Sequence, residues 1–358
     1  MNYVEATETS LRKTGQIKLH GPQAFAGMRK AGALVARCLD ELATIVRPGI
    51  FTSQIDDFVR KFAFDHKAYP ATLMYRGYRY STCTSINHVV CHGMPGDRPL
   101  KEGDIVSVDV GAYIGGFHGD CAGTYPCGKI SDEAARLIAV TEQSFWEGLK
   151  FARFGYRVSD ISHAVQMYVE ENGFSVVRDY VGHGVGANLH ESPEVPNYGK
   201  PGHGPRLAPG MTLAVEPMVN QGDWRVKVMK DGWTVRTADG SLAAHYENSI
   251  LITKGEPEIL AQVGDLRLLR FCEEPWYGPL PAMTEETSFW SSGRRATFSG
   301  WWTENAENLR LPKKNGESTL FPRGSGRTRL PAACKTASRC WTVTSGGRWP
   351  PSGIGSVR

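Results

Sequence analysis

The chain has 358 residues, of which 41% are hydrophobic and 22% charged, with a formal net charge of +4 at pH 7. These fractions are typical of a globular protein with a large buried core. No run of 18 apolar residues occurs, which excludes a membrane-spanning helix. The N-terminus carries no basic segment followed by an apolar stretch, and the eight cysteines are scattered without a CxxC pair. We therefore expect a cytoplasmic protein with reduced thiols.

The positive charge is concentrated near the C-terminus. Residues 264–358 contain 14 Lys+Arg and 8 Asp+Glu, whereas residues 1–263 contain 27 and 29. The larger, front part of the chain is therefore close to neutral, as is typical of a metabolic enzyme. The net charge gives no reason to expect a specific nucleic-acid partner.

The first elements in chain order form a predicted helix pair. Residues 1–15 are polar and predict a flexible N-terminal extension. Over 25–46, apolar residues recur every three or four positions, which predicts an amphipathic helix ended by a proline–glycine pair. Thr52 or Ser53 can cap a second helix that continues through Phe62.

The same order of elements then recurs. A second helix pair is predicted at 132–153 and 160–172, opened by Ser131 and by the Ser–Asp pair that begins at Ser159. Strand-like runs are predicted within 72–125 and at 174–181, 211–219, 226–230, 233–237 and 244–253. Two helices followed by strands, repeated once, predict an α+β domain with internal pseudo-symmetry.

The composition changes after about residue 263. The last 95 residues contain six of the nine tryptophans but only three Val or Ile residues, and no helical or strand period persists. This predicts a disordered or aberrant C-terminal tail at 263–358, because apolar residues without a period build no core. The stretch 294–302 also has the basic and aromatic residue types of a single-strand nucleic-acid contact, which is the alternative interpretation of this segment.

Two acidic residues are singled out by their strand neighbours. Asp109 interrupts a run of alternating valines, so that the valines occupy one face of a strand and the carboxylate the other. Asp120 follows eleven residues later, after a glycine-rich turn, a spacing that suits a hairpin with both carboxylates directed to one point.

Three further residues extend this set. Glu216 ends an apolar strand on the face opposite Met211, Leu213 and Val215, where a lone carboxylate is unfavourable unless something pairs with it. His183 lies in a glycine-rich stretch, and Glu247 lies within the stretch 244–248. Each residue alone is typical of a cap or a salt bridge. Together, four carboxylates and one imidazole suit two Mn(II), Fe(II) or Co(II) ions better than a tetrahedral structural zinc.

The chain resembles the type I methionine aminopeptidases, which are members of the pita-bread metallopeptidase family, over residues 16–262. The five residues follow each other at the spacing of that family: 11, 63, 33 and 31. The matching stretches are 84–93, 103–109, 118–120, 182–186, 216–218 and 231–234. The resemblance implies a pita-bread α+β fold, in which a pseudo-two-fold antiparallel sheet carries two helix pairs on its outer face, with 16–262 as the catalytic domain and a non-homologous C-terminal tail.

The resemblance also implies an activity and a ligand set. The activity is the hydrolytic removal of the N-terminal methionine from nascent proteins whose second residue is small, by water activated between two divalent metal ions. The implied ligands are Asp109, Asp120, His183, Glu216 and Glu247. Asp120 and Glu247 would bridge the two ions, and Glu216 would also transfer a proton between the water and the leaving amine.

Two histidines outside the ligand set receive substrate roles from the resemblance. His190 would stabilise the developing oxyanion at the scissile peptide, and His92 would contact the substrate amide from the opposite side. The implied walls of the methionine pocket are Tyr75, Tyr78, Cys83 and Trp233. Aromatic faces and a thiol suit a polarizable thioether, although ordinary core aromatics would have the same composition.

Some residues depart from the family pattern, and two other functions stay open. His245 stands where some relatives carry glutamine, and Cys121 follows Asp120 where relatives carry hydroxylic or charged residues, which leaves metal affinity open. The alternatives are a proline-specific peptidase of the same fold and a non-catalytic protein that binds ribosomes or RNA. As an aminopeptidase, the chain is expected to act as a monomer on nascent polypeptide N-termini without a membrane partner, and a transient ribosome contact is open.

Overall fold

The computed structural model describes residues 2–5 and 16–262, so that the predicted tail at 263–358 lies outside the described residues. The helices are α1 (Pro22–Ala43), α2 (Thr52–Asp65), α3 (Asp132–Leu149) and α4 (Val158–Glu171), and a single 3-10 turn spans Tyr75–Gly77. The strands are β1 (Asn2–Glu5), β2 (Gln16–Leu19), β3 (Tyr69–Pro70), β4 (Cys83–Ile86), β5 (Val89–Cys91), β6 (Ile105–Ile114), β7 (Phe117–Pro126), β8 (Ser175–Val176), β9 (Gly182–Gly184), β10 (Glu191–Val195), β11 (Thr212–Val215), β12 (Met218–Asn220), β13 (Val226–Val228), β14 (Val235–Thr237), β15 (Ala243–His245), β16 (Glu247–Leu251) and β17 (Glu258–Ile259).

All four predicted helices are present, and their boundaries depend on local capping. Ser131 caps α3 as predicted, because its hydroxyl oxygen accepts a hydrogen bond from the Ala134 N–H at 3.2 Å. Helix α4 instead begins at Val158, since Asp160 is its third residue and accepts the Arg157 N–H at 2.7 Å. The cap predicted at Thr52 or Ser53 is wrong: both residues lie inside α2, where the Thr52 hydroxyl bonds the backbone of Gly96 and the Ser53 hydroxyl bonds Asp97.

The largest sheet is antiparallel and joins the two halves of the chain. Its strand order is β10-β9-β11-β16-β7-β6-β3, with β17 beside β16 and β4 beside β6. The β6–β7 hairpin is paired over its whole length. By contrast, the β7–β16 ladder consists of two pairs, Glu247 opposite Ala122 and Asn248 opposite Cys121. We call this short β7–β16 pairing the seam.

Each helix pair covers its own part of the sheet through the predicted apolar faces. Val106, Val108 and Val110 pack in one cluster with α1 and α2. In the second half, alternate residues of β11 pack with residues of α3 and α4 in another cluster. The alternation predicted for β6 and β11 is therefore confirmed, and the opposite face of the sheet is left to the polar residues.

Two runs that the sequence predicts as continuous strands are broken. The run 211–219 divides into β11 and β12, and the run 244–253 divides into β15 and β16. Strands β12 and β15 leave the large sheet and form a separate three-stranded sheet with β8. Pro217 has no N–H for a ladder, and its carbonyl accepts the Tyr246 N–H at 3.2 Å. Both segments of the backbone thus pass from one sheet to the other beside Glu216 and Glu247.

A close backbone approach fixes α1 on β7. A Cβ atom on Gly119 would lie 2.5 Å from the backbone nitrogen of Gly32 in α1. Only a residue without a side chain allows the helix this near to the strand. Because Asp120 follows Gly119, this contact also positions one of the predicted ligands.

The N-terminal segment differs in part from the prediction. Within the predicted flexible extension at 1–15, residues Asn2–Glu5 form β1, which pairs in parallel with β2. Among the helices of the described residues, none combines the length and apolar character that crossing a membrane requires.

Candidate metal centre

Strand pairing aligns two of the predicted ligands across the centre of the sheet. Cys83 pairs with Asp109, Asp109 with Ala122, and Ala122 with Glu247 across β4, β6, β7 and β16. Side chains of residues paired in this way project from the same face of a sheet. Asp109 and Glu247 therefore point away from the helices, on either side of the small alanine.

The other three predicted ligands lie one step along the same face. Asp120 precedes Ala122 by two residues on β7, so it shares that face. On the far side of the seam, His183 pairs with Ala214, and Ala214 pairs with Ser249, two residues beyond Glu247. Glu216 follows Ala214 by two residues. All five predicted ligands thus belong to one face, two from the first half and three from the second.

The interatomic distances define two overlapping groups. The potential ligand atoms of Asp120, His183 and Glu247 all lie within 4.8 Å of one another, and so do those of Glu216, His245 and Glu247. His183 Nε2 is 3.8 Å from Asp120 Oδ2 and 3.4 Å from Glu216 Oε1. Asp109 belongs to neither group. His245, which is not one of the five predicted ligands, belongs to one of them.

The hydrogen bond of His183 fixes which ring nitrogen faces the carboxylates. His183 Nδ1 donates to the Gly184 carbonyl oxygen at 2.9 Å, and because a carbonyl only accepts, Nδ1 carries the hydrogen. Nε2 then presents its lone pair to Asp120 and Glu216. Two acceptor types directed at each other are favourable only with a cation or a proton between them.

The carboxyl groups are strongly perturbed by burial and by each other. Burial raises the pKa of Asp109 to about 7. Burial and the neighbouring carboxylates hold the pKa values of Asp120, Glu216 and Glu247 well above their ordinary range. Burial lowers the pKa of His183 to about 4, which keeps this imidazole neutral near pH 7.

The donor set fits divalent cations. Within residues 16–262, no lysine or arginine forms an ion pair with Asp109, Asp120, Glu216 or Glu247, and the ion-pair contacts of this cluster involve histidines alone. Glu247 Oε1 and His245 Nε2 are buried and have no hydrogen-bond partner in this part of the chain. Such unsatisfied buried atoms among several carboxylates are unfavourable unless positive charge is shared among them.

Two chains of aromatic rings border the cluster. His190 stacks on Tyr75 with centroids 5.1 Å apart and lies 4.0 Å from the ring of His183. Tyr78 and His92 each meet the ring of Trp233, at 5.1 and 6.0 Å. Tyr78 is buried and donates hydrogen bonds to carbonyl oxygens at both Thr82 and Gly93, so its ring is held rigidly.

Similarity to known proteins assigns the family. The family model of metallopeptidase family M24 matches residues 26–254. The chain belongs to metallopeptidase family M24. Among its relatives, the methionine aminopeptidase of Clostridium perfringens is 52% identical over 236 residues, which cover 66% of this chain and 95% of that protein. Methionine aminopeptidase 1 of Bacillus subtilis is 50% identical over 242 residues, covering 68% and 98%.

Solved structures agree with this M24 assignment. The methionine aminopeptidase from Rickettsia prowazekii matches with a TM-score of 0.68 and 44% identity, over 69% of this chain and 100% of that one. The Xaa-Pro dipeptidase from Bacillus anthracis shares 17% identity and a TM-score of 0.54, which indicates the fold alone. The predicted pita-bread α+β fold and the resemblance to methionine aminopeptidases are confirmed. As an M24 metallopeptidase, the chain is a hydrolase that binds divalent metal.

Sequence reasoning left several residues around the M24 centre without a role. Tyr180 meets the ring of His92 edge-on at 5.5 Å. Cys91 is buried, and the negative charge of Glu216 contributes, after burial, to raising the pKa of its thiol. His92 has φ of 55°, in the left-handed region that residues other than glycine rarely adopt. The glycine that follows His92 has a different cause, because a Cβ atom on Gly93 would lie 2.2 Å from the Thr84 carbonyl oxygen.

Proposed function

We propose that this M24 metallopeptidase removes the N-terminal methionine from nascent proteins when the second residue is small. The observation that carries the proposal is the convergence of Asp120, His183, Glu216 and Glu247 in two overlapping groups on one sheet face. The identity of 44% or more to several methionine aminopeptidases, against 17% to a proline-specific relative, supports methionine as the substrate.

Five side chains would hold two divalent ions, drawn from Fe(II), Mn(II) and Co(II). They are Asp109, Asp120, His183, Glu216 and Glu247. Oxygen-rich sets with one imidazole suit these metals. When bound, a pair of such ions supplies Lewis acidity and lowers the pKa of water toward neutrality. Asp109 would join the set from β6, where the backbone already directs its carboxylate to the shared face.

The protein's own groups would position the substrate and move protons. Glu216 is proposed to accept a proton from water at a carboxylate oxygen and to release it to the leaving amine. Partial burial, and after it the neighbouring His183, lower the pKa of His190 to about 3, which leaves a neutral ring N–H to donate to the oxyanion. His92 would contact the substrate amide from the side of Trp233.

A pocket for methionine would lie beside this cluster. We assign its walls to Tyr75, Tyr78, Cys83 and Trp233. Cys83 pairs with Asp109 on the adjacent strand, so that a thioether held there would lie next to the reacting centre. Sulfur–aromatic contacts and a thiol environment favour a polarizable side chain over a branched one. We further propose that the protein acts in the cytoplasm as a monomer, with at most a transient ribosome contact.

The function is tested with two peptide series. The metal-reconstituted protein should hydrolyse Met-Ala-Ser and release free methionine, while Xaa-Pro peptides of equal length should remain intact. Substituting a bulky second residue, as in Met-Trp-Ser, should reduce kcat/KM strongly. Cleavage restricted to Xaa-Pro peptides would instead support the proline-specific alternative and contradict the proposal.

A further inference from the structure

His245 is a buried imidazole at the edge of the ligand cluster that the proposed function does not use. It is the last residue of β15, two residues before Glu247, and is 3% exposed. Its Nε2 atom lies 3.8 Å from Glu216 Oε2. The ligand atoms of His245, Glu216 and Glu247 all fall within 4.8 Å of one another.

Hydrogen bonds to two neighbouring strands hold the backbone of His245, and this places its ring beside the ligand cluster. Its N–H donates to the Thr124 hydroxyl oxygen at 2.9 Å, and the same hydroxyl donates to the His245 carbonyl at 2.9 Å. The residue also pairs with Met218 across the β12–β15 ladder. These contacts tie His245 to β7 and to β12 at once.

The ring nitrogen that faces the carboxylates has no satisfactory partner. His245 Nε2 makes no hydrogen bond within the described residues, and neither does Glu247 Oε1. A separation of 3.8 Å from Glu216 is too long for a hydrogen bond. Buried polar atoms are nearly always satisfied, and two unsatisfied polar atoms beside a second carboxylate, that of Glu216, are the arrangement that a bound cation would satisfy.

We propose that His245 Nε2 is a ligand of the ion shared by Glu216 and Glu247, which gives the centre a second imidazole nitrogen besides His183. This inference rests on the proposed two-metal function. Two ligand atoms each about 2.1 Å from one ion can be separated by at most about 4.2 Å. The 3.8 Å between His245 Nε2 and Glu216 Oε2 meets this limit.

A second nitrogen donor changes which metal the centre prefers. Imidazole binds Co(II) and Fe(II) more favourably than Mn(II), whereas carboxylates accept Mn(II) readily. His245 therefore favours the later metals at this ion. Glutamine offers a carbonyl oxygen of similar reach. The variant His245→Gln therefore removes the imidazole nitrogen donor and keeps a polar side chain.

Co(II) binding to the metal-free, full-length protein tests the ligand. Titration calorimetry gives the two dissociation constants, and X-ray absorption of the fully loaded protein counts imidazole nitrogens. We expect two imidazoles for each pair of ions in the wild type and one in His245→Gln. The affinity of one ion should fall about tenfold or more, with a smaller loss for Mn(II). The exposed His203→Gln is the matched control, with wild-type binding expected.

Three results would distinguish the possible failures. Two ions in the wild type with a single imidazole would overturn the role of His245 while leaving the proposed function intact, and this measurement needs no variant to fold. Equal affinities in His245→Gln and the wild type would do the same. A wild type that binds no pair of ions, and whose Co(II) affinity His183→Ala leaves unchanged, would overturn the proposed function together with this inference.

Discussion

At the scale of single residues, Asp109 links pH to the stability of the metal-free protein. Burial raises its pKa from 3.8 to about 7 in the folded state. Its contribution to stability is therefore complete below pH 3.8 and is lost as the pH rises through about 7. Above that pH the folded protein holds a buried, unpaired carboxylate.

This difference leads to a prediction for Asp109→Asn, an isostere that cannot ionise. In the metal-free protein at pH 8, the variant should raise the free energy of unfolding by on the order of 4 kcal/mol. Urea denaturation with a chelator present, at pH 4, 6 and 8, measures the effect. The exposed Asp65→Asn is the control. Parallel pH profiles for Asp109→Asn and the wild type would contradict the prediction.

The sheet face of a single residue can be predicted where its neighbours alternate between apolar and polar side chains. The apolar alternation beside Asp109 and Glu216 assigned both to the polar face, and the structure has them there. The strand period placed His245 on the face of Glu247, two residues away, but its proximity to Glu216 arises from contacts between distant strands. No local pattern encodes such a distance.

At the scale of elements, the close contact of α1 with β7 limits the side-chain volume that residue 119 can have. Gly119→Ala would place a methyl group against the backbone of Ala31 and Gly32. We expect it to lower the free energy of unfolding by about 1–3 kcal/mol, because the helix must move away from the strand. Urea denaturation at fixed metal content measures the loss.

A matched glycine separates this steric effect from a change in chain entropy. Gly96 has no heavy atom within 4 Å of an added Cβ, and its φ is not positive. Gly96→Ala should raise the free energy of unfolding by about 0.4–1 kcal/mol, because alanine restricts the unfolded chain. Equal losses in both variants would mean that the close approach at Gly119 is not what limits stability.

Strand breaks show what the sequence could not predict about elements. The sequence predicts the runs 211–219 and 244–253 as continuous strands, but each run changes sheets at its centre. Pro217 was a local signal in the first run. The second break has no local sequence signal, because it depends on the hydrogen bond from the Tyr246 N–H to the distant Pro217 carbonyl. Strands β9 and β10 were likewise missed, since glycine-rich pairing depends on β11 as a neighbour.

At the scale of the whole molecule, residues 16–262 contain every group that the proposed function requires. The family match at 26–254 also falls inside this range. A chain that ends at residue 262 should therefore fold cooperatively and hydrolyse Met-Ala-Ser with nearly the kcat/KM of the full chain. Kinetics and thermal unfolding of both chains measure this. A well-folded but inactive short chain would assign a catalytic role to residues beyond 262.

The seam has a consequence for the time at which activity arises during synthesis. Asp109 and Asp120 are translated well before His183, Glu216 and Glu247, and β7 pairs with β16 only after the latter has left the ribosome. A growing chain therefore lacks part of the proposed ligand set until almost all of residues 16–262 have left the ribosome. We therefore expect a fragment released by interrupted translation before Glu247 to have no peptidase activity.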